Sequence, residues 1–483
     1  MAHDRLPYYP DQIHLFPSNP RDWLREDHLS YFVQDVVSQL DMHKFDTRKS
    51  IDRRGAPSYS PIMMTTLLLY GWCRHVYSSR KLAALCHEDV GARVLTADNF
   101  PDHRSINLFR LRHQEALNDL FKQSVRLCQR AGMVSLIEVA VDGTKIEANA
   151  SKRKAMSYAR LLEEETRLSA EIDGYLKRAA EEDAAEDKLF GVEESGPQLH
   201  PELKRRSDRL ARIRDAKSAL EDEAQAKADA KQKEREAKEA QSDKPLRGPK
   251  PKNDPTPKDT AQRSFSDPES RIMKGGSGEF IQAFNGQAAV DGDHQVIVGC
   301  ALTQQSNDKQ QLTPLIEETI SQTGCKPSTV LADPGYYSES NVDSMETMNI
   351  HPLIPPDKER CGTPEAPAAE LSDDELAKLS TIERVRHNIS TAKGRDAYRH
   401  RKVIVEPVFG QMKGSAGNPG CLGFLRRGYD KCNAEWHWLC ARHNIMKYIR
   451  FKRAQEPPNT KLRTRVSKQQ RPTNASLSLQ MAT

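Results

Sequence analysis

No apolar run in this chain approaches the roughly 18 residues that a membrane-spanning helix requires, and its start lacks the apolar stretch of a secretory leader. A cytoplasmic chain that neither crosses a membrane nor leaves the cell is therefore expected. Paired cysteines are missing too. The nine cysteines are scattered without one CxxC pair, and an odd set without a leader points to reduced thiols. Cys432, Cys440 and His443 come nearest to a zinc cluster, but Trp436, Leu439, Cys440 and His443 repeat at helical spacing, which predicts core packing. A one-sided charge is absent as well. The net charge of +5 hides local segregation: from Arg450 onward eight Lys or Arg face the single acid Glu456. That predicts a basic flexible arm over 451–483 for nucleic acid phosphates.

What is present suits several domains, because 483 residues exceed one ordinary core and 37% hydrophobic content still fills sizeable ones. Residues 1–134 read as helical. Ser60 and Pro61 make a cap and first turn for IMMTTLLLYGW, and Ser79 can cap RKLAALC. After LTADNFPD, one helix is predicted over HRSINLFRLRHQEALNDLFKQSVRLCQRAG, with Ile106, Phe109, Leu117, Leu120 and Leu127 inward and an end at Gly132. Its first turns would expose Arg104, Asn107 and Arg110. They form either the reading end of a recognition helix or the solvated face of a plain bundle.

Residues 153–265 differ in kind. Leu161, Leu168 and Ile172, then Leu203, Leu210, Ile213 and Leu220, step at coiled-coil spacing amid dense charge. GVEESGPQLHPE separates the two runs, so an antiparallel hairpin is expected, the alternative being one long solvated helix. KPLRGPKPKNDPTPKDTAQRS then reads as a Pro-rich basic linker.

Sheet patterning flanks this insertion, with a split domain expected over 135–152 and 266–450. EFIQAFNGQAAVDGD and HQVIVGCALTQQ alternate and meet at Asp-Gly, a hairpin signal. DKQQLTPLIEETISQ predicts a crossover helix, TVLADPG a strand, SESNVDSMETMN a helix that Ser338 can cap, and NIHPLIPP a last strand. Since a crossover returns to a neighbouring parallel strand, Asp142 in the first strand should lie beside Asp333 in the fourth.

Three acids stand in well-defined settings: Asp142 in VAVDGTKIEANAS, Asp333 in TVLADPGYYS and Glu406 in RKVIVEPVFGQMK. Both aspartates close short apolar runs, so buried strands deliver their carboxylates to a sheet edge. Glu406 precedes Pro407, where a helix should begin or kink. Facing buried carboxylates repel each other, and divalent cations remove that penalty. Oxygen donors alone suit a hard cation, two Mg²⁺ with Mn²⁺ substituting, and not zinc. Such a set serves two-metal phosphoryl transfer.

VDGTKIEANAS, ADPGYYS and VEPVFGQMK together resemble the DDE transposases of bacterial insertion sequences. The stretch SYSPIMMTTLLLYGWCRHVYSSRKLAALCHEDVGARVLTADNFPDHRSINLFRLRH is similar to their InsH-type N-terminal domain. The resemblance implies an α/β, mixed-sheet ribonuclease H-like catalytic domain behind a helical DNA-binding domain. It implies Asp142, Asp333 and Glu406 as catalytic metal ligands. Double-stranded DNA follows as partner, both transposon terminal inverted repeats and target, with a homodimer in the synaptic complex and nucleoid association when DNA is bound. In many relatives Tyr and Arg precede the glutamate and Lys follows it by seven; Tyr398, Arg401 and Lys413 are the matches, as DNA contacts. Arg401 lies one residue earlier than usual, which leaves Lys402 as the other candidate. A nuclease of the same fold without strand transfer, or a silent DNA-binding descendant, are the alternatives.

Overall fold

The computed structural model describes residues 19–45, 58–151, 155–190, 201–240, 255–276, 278–356, 367–376, 378–413 and 423–455. The basic tail beyond Gln455 and most of the linker therefore lie outside the described residues. Contacts divide the chain into two units, one of Met1–Ser135, Asp291–Ile297 and Cys440–Thr483, the other of Leu136–Val290 and Val298–Leu439. Cys440 onward groups with the first unit. Within the first unit Asn444 explains why: its amide donates to Ser124 Oγ at 3.2 Å and to the Ile297 carbonyl at 2.8 Å, all buried.

The first unit is helical, as expected, but more finely divided. Its helices are α1 (Leu29–Ser38), α2 (Pro61–Cys73), α3 (Ser79–Glu88), α4 (Val90–Thr96), α5 (His103–Arg112) and α6 (Gln114–Arg130). Helix α2 is buried almost throughout, consistent with its unbroken apolar run. Ser60 stands at its cap position without a side-chain bond, so Pro61 alone sets the start. Ser78, not Ser79, occupies the cap of α3. The single helix expected after LTADNFPD breaks at His113. Asp102 caps its first half, accepting from the Ser105 N–H at 2.7 Å. Arg104 and Asn107 are exposed there, whereas Arg110 is buried. It follows Ile106 by one helical turn and so shares the inward stripe, which corrects its placement on the exposed face.

The second unit opens with β1 (Glu138–Glu147) and a short β2 (Ala155–Ser157), then α7 (Tyr158–Phe190), α8 (Pro201–Ala240) and β3 (Gln262–Ser264). The two long helices are antiparallel, since partners descend along α8 as they ascend along α7. Tyr158 bonds Glu221 at 2.8 Å, Glu165 meets Lys217 at 3.0 Å, and Glu171 meets Arg206 at 3.6 Å. Leu161, Leu168, Leu210, Ile213 and Leu220 form their seam. The hairpin is the expected one. The linker is not linker to its end: residues 262–264 pair with 155–157 as a two-stranded ribbon at the hairpin's base.

The chain continues through β4 (Arg271–Lys274), β5 (Phe280–Asp291), β6 (Ile297–Thr303), α9 (Leu312–Thr323), β7 (Thr329–Ala332), α10 (Glu339–Thr347) and β8 (His351–Leu353). Helices α11 (Asp373–Leu376), α12 (Thr381–Ser390), α13 (Ala392–Lys413) and α14 (Tyr429–Gln455) follow. Strand order in the sheet is β4-β5-β1-β7-β8, with β6 also on β5. β1, β7 and β8 are parallel, and β5–β6 is a hairpin beside them, which is the ribonuclease H order that the sequence predicts. Its turn is longer than Asp-Gly: residues 292–296 connect the strands, with Gln295 at φ 56°. Ser338 caps α10 as expected, accepting from Asn341 N–H at 3.2 Å. Cys432, Cys440 and His443 are buried, in line with packing. Among the described residues no helix is long and apolar enough to cross a membrane.

Candidate active site

Register, more than proximity in sequence, builds the site. β1 and β7 run parallel with Val141 opposite Ala332, so the next residue on each, Asp142 and Asp333, emerge side by side where the apolar runs end. Asp142 accepts from the Gly143 N–H at 2.8 Å and from Arg401 Nη1 at 3.3 Å. Asp333 caps a single 3-10 turn, accepting from the Gly335 N–H at 3.0 Å. Burial pushes the Asp142 carboxyl up to about 6, with Arg401 opposing and Asp333 and Asp308 adding to the rise. Asp333 is raised too, again chiefly by burial, against Arg401 and with Asp308. One guanidinium thus serves two crowded carboxylates.

Helix α13 supplies that guanidinium. Tyr398, Arg401, Val405, Val408 and Met412 are buried along one stripe at helical spacing. Tyr398 is buried beside Arg401, whose guanidinium lies over its ring, 5.8 Å from the centroid. Lys402 is exposed. Of the two residues left open by the sequence, Arg401 points into the site and Lys402 away to solvent. The helix does not start at Glu406: α13 runs from Ala392 to Lys413 with Pro407 inside it. The buried stripe on both sides of Pro407 offsets the missing N–H, which alone would cost about 3 kcal/mol.

Two contacts fix how α13 lies along β1. His400 Nδ1 is 2.9 Å from Glu138, and Lys413 Nζ donates to the Lys145 carbonyl at 3.2 Å. Glu406 falls midway between these anchors, as Asp142 does between Glu138 and Lys145. Its side chain is exposed at that level. Among the described residues no three His, Cys, Asp or Glu side chains are gathered closely enough to hold a metal. Asp142 and Asp333 nonetheless suit a divalent cation. They offer only hard oxygen donors, and burial disfavours the charged form of both, a penalty that a cation removes.

Five residues that sequence reasoning missed complete the surroundings. Asp308, in the loop between β6 and α9, accepts on Oδ1 from Asn285 at 2.6 Å, Gln287 at 2.7 Å and Lys145 at 3.5 Å. Asn285 and Gln287 are fully buried on β5. Gln287 also accepts from the Tyr336 hydroxyl. A Cβ on Gly143 would stand 2.5 Å from Gln287 Nε2 and 3.0 Å from Asn285 Oδ1, so the network explains the glycine after Asp142. The signal for it was in the sequence: FNGQ places two amides on one face of a largely apolar strand.

Two carboxylates thus stand at the ends of adjacent parallel strands, with one arginine of α13 beside them, on a ribonuclease H-like sheet. Residues 244–471 match the family model Transposase DDE domain, and residues 18–112 match Transposase domain (DUF772). The chain is a DDE transposase of the insertion-sequence kind. Its fold is ribonuclease H-like, and the family generally uses divalent metal ions. Asp333 and Glu406 lie within the DDE match, whereas Asp142 precedes it, cut off by the α7–α8 hairpin. Comparison with curated proteins and with solved structures gave no match.

Proposed function

We propose that the chain binds the terminal inverted repeats of a mobile DNA segment, cleaves there, and joins the freed 3′-hydroxyl to target DNA. The observation that carries this reading is the register that sets Asp142 beside Asp333. Water attacks the end phosphodiester, its P–O3′ bond breaks, and the released 3′-hydroxyl then attacks a target phosphodiester in the same way; both are in-line displacements that one site can serve.

Asp142 and Asp333 hold two Mg²⁺, or Mn²⁺ in their place, with Glu406 as third carboxylate. When bound, these ions supply charge neutralisation at phosphorus and at the attacking and leaving oxygens. The rest is positioning by the chain. Arg401 neutralises the aspartates until cations do, and is then free for a phosphate oxygen. Lys413 holds α13 against β1 and keeps a second positive charge near Asp142. Arg104 and Asn107 at the start of α5 read end sequence, and Lys402 and the tail from Arg450 meet backbone phosphates. Synapsis of two ends asks for two protomers.

Purified protein with DNA flanking its own gene and Mg²⁺ tests the reading. Cleavage followed by joining is expected, and Asp142→Ala, Asp333→Ala and Glu406→Ala should each abolish both while end binding persists. Ordinary cleavage by any one of them removes that residue from the site, and cleavage without joining replaces the transposase by a nuclease.

A further inference from the structure

We propose that Lys145 is a further catalytic residue, its ammonium contacting a non-bridging oxygen of the scissile phosphate, and that Asp308 is the positioning residue that aims it. The inference rests on the transposition reading above.

Lys145 lies three residues beyond Asp142 on β1, with its side chain 19% exposed. Its ammonium senses Asp308, then Asp142 and Asp333. Taking an ammonium out of water is repaid only by an excellent ion pair. At 3.5 Å its contact with Asp308 is too long for that. An apolar side chain would serve the fold better at this position, so the charge answers a need outside the folded protein.

Asp308 is held with far more care than the lysine. Two neutral amides grip its Oδ1 at 2.6 and 2.7 Å without cancelling its charge. Gln287 is in turn fixed by the Tyr336 hydroxyl, and Asn341 ties the carbonyls of Lys309 and Tyr336 together at 2.6 and 2.7 Å. The result is a rigid negative point beside a loosely held positive one. Such a pair keeps the ammonium at the mouth of the aspartate pair and yields it to a stronger anion. A phosphodiester entering between Asp142 and Asp333 is that anion. A lysine, as a compact point charge, suits a single oxygen of it.

End DNA carrying one neutral methylphosphonate at the scissile position is the probe. Binding is measured in EDTA against the unmodified end, for wild type and for the near-isosteric variants Lys145→Met, Lys145→Arg and Asp308→Asn. Wild type should lose about tenfold in affinity on the neutral end, the usual worth of a charge-assisted bond. Lys145→Met should show little of that loss, and Lys145→Arg should retain part of it. Single-turnover cleavage with Mg²⁺ should fall about 100-fold in Lys145→Met. The Lys145→Met/Asp308→Asn double variant should be no worse than Lys145→Met alone, because both act through one ammonium. An undiminished methylphosphonate penalty in Lys145→Met, or effects that multiply in the double variant, overturns the proposal. If wild type cleaves and Lys145→Met cleaves equally well, the inference fails alone. A wild type that cleaves no end DNA takes the transposition reading down with it.

Discussion

Replacing Asp142 by asparagine should make the cation-free protein more stable, even though it destroys the site. Asp142 is shifted from 3.8 to about 6 in the folded chain, mainly by burial. The folded state therefore holds this proton more tightly than the unfolded chain does. Stability is fullest below about pH 4, declines as pH rises through the interval to about 6, and stays reduced above it. Two pH units at about 1.4 kcal/mol each give a destabilisation on the order of 3 kcal/mol at pH 8. Asparagine keeps an acceptor for the Gly143 N–H and sheds the charge, but its amide nitrogen replaces the oxygen that Arg401 bonds, which takes back part of the gain. A net gain of about 1 to 3 kcal/mol is expected, worth several degrees in midpoint for a domain of this size. Urea denaturation in EDTA at pH 8 and at pH 4 measures it: the advantage of Asp142→Asn should be clear at the first and nearly gone at the second. Adding Mg²⁺ at pH 8 should raise wild type and leave the variant unmoved. A variant less stable than wild type at pH 8 in EDTA would refute the reasoning, since the carboxylate would then be a stabilising member of the fold.

Other perturbations separate roles that the structure assigns to different places. Gly143→Ala pushes a methyl to within 2.5 Å of Gln287 Nε2 and 3.1 Å of Asp308 Oδ1, so a loss of about 1 to 3 kcal/mol is expected by thermal melting; an unchanged midpoint would mean that the amide network gives way freely. Deleting residues 155–264 with a short Gly/Ser bridge removes the hairpin together with its own seam and ribbon, and should leave the sheet's circular dichroism intact; an insoluble product would make the hairpin integral to the sheet. Arg104→Ala should narrow the preference for transposon ends over random DNA by roughly 1 to 3 kcal/mol, whereas buried Arg110→Ala should lower the melting temperature and leave that preference alone. Titrations with both DNAs at several salt concentrations decide between them.

The strand order was legible because each strand carried its own period and the crossovers admit one handedness; Asp142 and Asp333 followed from it. The hairpin seam was legible for the same reason, as Leu161, Leu168, Leu210, Ile213 and Leu220 needed only each other. What the sequence hid was tertiary in origin. Arg110 looks solvent-facing until α6 and its neighbours claim the Ile106 stripe. Pro407 looks like a boundary until packing on both sides of it holds α13 together. Asp308 sits in a loop with no local pattern, and its meaning comes only from Asn285 and Gln287 on a strand that folds back beside it.

The ribbon at the foot of the α7–α8 hairpin also bears on the order in which the chain comes together. β1 must find β5 across the whole insertion, as where the Ala148 N–H meets the Gln282 carbonyl at 2.8 Å. That is a closure of about 130 residues, and such closures become entropically dearer with length. The hairpin is a local structure that can zip by itself, and once Ala155 pairs with Ser264 the two ends of the insertion are adjacent. The remaining search then spans only about 26 residues, a saving of roughly 1.5 kcal/mol by the logarithmic length law. In kinetic terms the insertion is a splint: it shortens the path by which the strand bearing Asp142 reaches its neighbour. A chain with the hairpin melted but the sheet residues intact should reach the same sheet more slowly.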